Sequence, residues 1–119
     1  MIYEIKDMLA MRDAIAEFCA FLSREKVPEN GVFNSRLTLN ELVGNVLRHT
    51  DGEASFRGEI KDGFIELSVF SNRPFTPPKT TQRVDVYAEH GRGLFLVDSF
   101  CEKRETIGDS GIFVKIRIE

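Results

Sequence analysis

Tryptophan is missing from this chain, cysteine occurs only twice, and neither charge sign has a large excess. Cys19 and Cys101 each stand alone in an apolar helical pattern. They form neither a disulfide framework nor the paired spacing of a zinc site, which points to a reducing compartment. Sixteen Lys and Arg against nineteen Asp and Glu leave a net charge of -3, so there is no basic footprint for nucleic acid. No apolar run approaches the roughly 20 residues of a membrane-spanning helix, and no membrane association is expected. Met1-Ile2-Tyr3-Glu4-Ile5-Lys6 lacks the apolar region of a secretory leader, so the expected compartment is the cytoplasm. Repeats, low-complexity tracts and linkers are also lacking, which predicts one domain over residues 1–119.

What is present suits a packed domain. Apolar residues make up 42% and include ten phenylalanines, which argues against disorder. Residues 1–6 read as a short strand, and Asp7 can cap the helix that follows. Met8, Met11, Ile15, Phe18 and Leu22 recur there at helical spacing. Pro28 and Gly31 predict a break, with a second helix starting at Asn34 or Ser35 and ending at Asp51-Gly52. Leu39, Leu42, Val43 and Val46 form its apolar stripe.

Asp62-Gly63 is a two-residue turn of the kind hairpins prefer. Counting across it pairs Ile60 with Ile65, Gly58 with Leu67 and Phe56 with Val69 on one apolar face. The other face is mixed and pairs Lys61 with Phe64, Glu59 with Glu66 and Arg57 with Ser68. Parity puts Ser71 on the apolar, covered face, and Phe64, Phe70 and Phe113 on the uncovered one or its rim. Residues 72–90 carry Pro74, Pro77 and Pro78 without periodicity, as a functional loop does. Gly91-Arg92-Gly93 opens a third helix expected to run to about Lys103. A last hairpin turns at Asp109-Ser110-Gly111. The expected fold is α+β, a two-layer sandwich with helices on one face of a mixed, mostly antiparallel sheet.

Two segments could carry chemistry. Glu41, Asn45 and His49 lie at i, i+4 and i+8 on one face of the second helix. An amide oxygen there is a hard ligand for Mg²⁺, and a carboxylate can order or deprotonate a hydroxyl nucleophile. The plainer alternative is a solvated helix face, with His49 placed at the helix end where the dipole favours a cation. The second segment, His90-Gly91-Arg92-Gly93-Leu94, turns from loop into helix. Backbone N–H groups at such a point can bind an anion, and the alternative is an ordinary glycine-bearing helix start.

Together these segments resemble the anti-sigma-factor serine kinases of the histidine-kinase-like ATPase superfamily. Leu39-Asn40-Glu41-Leu42-Val43-Gly44-Asn45-Val46-Leu47-Arg48-His49-Thr50 is similar to their asparagine-containing motif, and His90 to Val97 to their glycine-rich lid. The resemblance implies the Bergerat ATP-binding fold, Mg-ATP as cofactor and a homodimer. It also implies partner switching, in which the kinase holds a sigma factor and phosphorylates a small antagonist on serine. It assigns Glu41 the catalytic role and Asn45 the Mg²⁺, with His49 a further nucleotide contact. The amides of Gly91, Arg92, Gly93 and Leu94 would hold the phosphates. Similar proteins carry an aspartate after the central strand that reads the adenine amino group. Ser71 stands in that place, with Asn72 beside it as a substitute acceptor. They also tend to carry a threonine where Ile112 follows Gly111. Two readings are therefore open: an active serine/threonine kinase, and a degenerate ATPase-fold module that sequesters a regulator with little or no nucleotide.

Overall fold

The computed structural model describes residues 1–49, 53–72, 98, 101–108 and 111–118. Strand β1 spans Ile2–Ile5, helix α1 Met8–Arg24 and helix α2 Glu29–His49. Strands β2 (Ala54–Lys61), β3 (Phe64–Ser71), β4 (Lys103–Ile107) and β5 (Gly111–Arg117) complete the described elements. The sheet runs β1-β2-β3-β5-β4, and every neighbouring pair is antiparallel. The expectation of a mixed sheet is thus corrected among the described residues. The α+β architecture holds, with α2 packed against β2, β3 and β5, and α1 against α2 and β1. Among the described residues no helix is long and apolar enough to cross a membrane.

Local chemistry explains the element ends. Asp7 caps α1 from extended backbone, its side chain accepting from Ala10 N–H at 2.8 Å. At the other end Val27 N–H bonds to Leu22 C=O and Lys26 N–H to Ser23 C=O, each at 3.0 Å. That is the Schellman pattern, and it forces Lys26 into left-handed backbone at φ 65°. Such backbone costs a residue with a Cβ about 1–2 kcal/mol, a figure partly offset by glycine's greater freedom when unfolded. Lys26→Gly is therefore expected to raise stability by about 0.5–1 kcal/mol. Urea denaturation checks this, and an unchanged or lower midpoint would contradict it.

Helix α2 begins at Glu29, not at Asn34 or Ser35. Pro28 lies just before it, where a missing N–H does no harm, and its carbonyl accepts from Val32 N–H at 3.1 Å. Gly31 sits inside the first turn because a Cβ there would lie 2.8 Å from Val27 Cγ1. Ser35 and Thr38 are buried in mid-helix, each hydroxyl donating at 2.8 Å to the carbonyl four residues back. That bond removes the usual objection to such residues there.

The β2–β3 register matches all six counted pairs, from Lys61↔Phe64 to Phe56↔Val69, and continues to Ala54↔Ser71. Asp62 and Gly63, at φ 53° and 82°, make the turn. Ile65, Leu67, Val69 and Ser71 face the helices and are buried, while Phe64 and Phe70 lie half-buried on the opposite face with Phe113. Lys115 Nζ stands 4.3 Å from the centre of the Phe64 ring. Met8 leaves the α1 stripe, being 49% exposed in the first turn, and Ala14 and Cys19 are buried in the stripe. The third helix does not reach Lys103. Glu102 N–H already bonds to Lys115 C=O at 2.7 Å, and Lys103 starts β4. Pairing with β5 overrides the helical preference of Lys103-Arg104-Glu105. Gly111 belongs to β5 instead of the turn, and Asp109 and Ser110 lie outside the described residues. Cys19 is buried, and burial with the neighbouring Asp98 charge pushes the Cys101 thiol up, so neither is a primed nucleophile.

Candidate functional site

Helix α2 carries two faces side by side. Its apolar stripe enters the core, with Leu39 and Val43 fully buried. Glu41 and Asn45, one helical turn apart, are only 8% and 4% exposed. The alternative of a solvated face therefore fails for these two. Buried polar side chains need partners, and the sequence reading missed the residue that supplies one. Arg48 Nη2 donates to Asn45 Oδ1 at 2.7 Å and lies 3.6 Å from Glu41 Oε2. Its spacing was the available signal, since i+3 from Asn45 and i+7 from Glu41 is the same helix face. Gly44 makes room, because a Cβ there would stand 2.8 Å from Arg48 Nη1. His49 is the last residue of α2.

The end of α2 and the end of β3 belong to the same end of the two layers. The helix stops at His49, and β2 opens at Ala54, the register partner of Ser71. Ser71 is buried at 8% exposure, as parity required. A pocket of about 150 Å³ lies at the Ser71 end of the strands, lined by Glu4, Glu53, Ser55, Phe70, Ser71 and Asn72 and by no described residue of α2. That is less than the few hundred Å³ usual for a whole small-molecule site. Asn72 is exposed and does not turn inward. Its Oδ1 accepts from Glu53 N–H at 2.8 Å, while its own N–H bonds to Glu53 C=O at 3.0 Å. It thus prolongs the β2–β3 pairing beyond Ser71, and its amide oxygen is committed to that task. Ile112 pairs with Val69 and is 5% exposed, so it is part of the core layer under α2.

Gly91, Arg92, Gly93 and Leu94 lie outside the described residues, as does the 73–90 loop. The structure thus brings together Glu41, Asn45 and Arg48, and places Ser71 at the same end of the fold. Mg²⁺ does not fit these residues as they stand. The amide oxygen it would need already accepts a short bond from a guanidinium. Among the described residues no group of three or more His, Cys, Asp or Glu could hold a metal ion. No family model matches the chain, and no curated protein matches it either.

Proposed function

We propose that the chain is a nucleotide-binding regulator on a histidine-kinase-like ATPase fold. In this reading it acts as an anti-sigma factor or similar partner-switching serine/threonine kinase, with ATP as phosphate donor and a small antagonist as acceptor. The observation that carries the reading is the buried Glu41–Asn45 pair, held on the helix that packs against β2, β3 and β5. Burying an acid and an amide costs free energy unless they are partnered, and such groups concentrate where chemistry is done. Glu41 is the group to order or deprotonate the attacking hydroxyl. Asn45 anchors Arg48, whose guanidinium suits phosphate.

A specific observation favours a second reading, a module that sequesters its partner without nucleotide. The amide oxygen of Asn72 is engaged with Glu53 and Ile112 lies in the core, so neither offers the acceptor that would read the adenine amino group. The two readings differ in a measurable way. Ser71 can give adenine one neutral hydrogen bond, a net contribution of about 0.5–1.5 kcal/mol. ATP and GTP are therefore expected to bind within about tenfold of each other, since tenfold is about 1.4 kcal/mol. Ser71→Asp is expected to shift that ratio toward ATP in a competition titration. A chain that binds neither nucleotide before or after the substitution is the sequestering module.

A further inference from the structure

The metal implied by the resemblance and the geometry at Asn45 disagree, and the disagreement identifies what Arg48 does. An amide oxygen is offered to a divalent cation through its lone pairs, and that oxygen accepts from Arg48 Nη2 at 2.7 Å. The same nitrogen lies 3.6 Å from Glu41 Oε2, so one guanidinium edge spans both buried acceptors. The Arg48 side chain is 31% exposed while that of Glu41 is 10% exposed. The Arg48 side chain is therefore in touch with both a buried polar pair and solvent. It is always charged and carries five donors in a rigid fork.

We infer that Arg48 is a built-in cation for the Glu41–Asn45 pair. Its guanidinium occupies the position of a divalent metal, keeps the metal out, and turns its outer edge toward the phosphate of an incoming ligand. The phosphate half rests on the nucleotide reading above, whereas the exclusion of metal does not. A fixed positive charge repels a divalent ion and holds the oxygen that the ion would need. The same charge supplies what the metal would give to a phosphate, without loading. Nucleotide binding at this site is accordingly independent of Mg²⁺.

The test has two arms on the full chain. In the first, Mn²⁺ is titrated without nucleotide and the Asn45 side-chain amide signals are followed in a ¹⁵N-labelled sample. They are expected to stay sharp in the wild type and to broaden selectively in Arg48→Met, which keeps an apolar stem. Selective broadening in the wild type overturns the inference, and that arm stands whatever the variant does. A folded Arg48→Met that shows no broadening overturns it too. In the second arm ATP is titrated in Mg²⁺ and in EDTA. Wild-type affinity is expected to agree within about threefold, and Arg48→Met to bind at least about tenfold more weakly in EDTA than in Mg²⁺. A wild type that loses tenfold or more in EDTA overturns the inference. If ATP binds to neither protein, the nucleotide reading and the phosphate half fail together, and the Mn²⁺ arm still decides the exclusion of metal.

Discussion

Gly58→Ala is expected to lower the stability of the fold by about 3 kcal/mol, near the top of the range for forcing extra volume into a packed core. Gly58 lies within β2, opposite Leu67, on the face covered by the helices. A Cβ built there would stand 2.4 Å from Phe18 Cζ and 2.5 Å from Phe18 Cε1. Phe18 has no room to retreat. It is 0% exposed and meets Phe56 edge-on, with ring centres 5.8 Å apart. Glycine in a strand interior usually weakens the strand, and here it marks the close approach of α1 to the sheet. For a domain of this size the melting temperature should fall by roughly 10 °C. Thermal denaturation followed by circular dichroism measures it. A fall of only a degree or two would mean that α1 slides on the sheet and that the Phe18 contact does not set the layer spacing.

Glu41→Gln is expected to remove phosphoryl transfer while leaving nucleotide affinity within a few-fold of the wild type. The substitution keeps the shape of the side chain and its place beside Arg48, and it removes the capacity to take a proton. General base assistance accounts for about 10²–10⁴-fold in rate, and that is the loss expected in single-turnover release of the γ-phosphate. An equal fall in affinity and rate would make Glu41 a binding group instead. A wild-type chain that binds ATP and releases no phosphate above background would overturn the catalytic role of Glu41 and leave the nucleotide site standing.

Much of the fold could be read from residue order, for reasons that differ between elements. The β2–β3 pairing followed from Asp62-Gly63, because a two-residue turn leaves no freedom of register. Parity then carried Ser71 to the buried face without further assumption. The start of α2 was misread because Pro28 and Gly31 act as breakers only in isolation. In the fold one precedes the first turn and the other makes room for Val27. The end of the third helix was misread for the opposite reason. Lys103-Arg104-Glu105 suits a helix by itself, and its strand state comes from pairing with β5. Burial of Glu41 and Asn45 was not legible, since a polar line beside an apolar stripe fits a cleft and a wet face equally well. Arg48 was overlooked although its spacing was on view, because its role depends on the space left by Gly44.

Calorimetric titration of the full chain with ATP decides whether the Glu41–Asn45 end of α2 is a nucleotide site. Saturable binding of one ATP per chain is expected, weakened at least about tenfold by Asn45→Ala, because the alanine removes the anchor that holds Arg48 in place. No heat of binding at millimolar ATP, or binding that Asn45→Ala leaves unchanged, would contradict it.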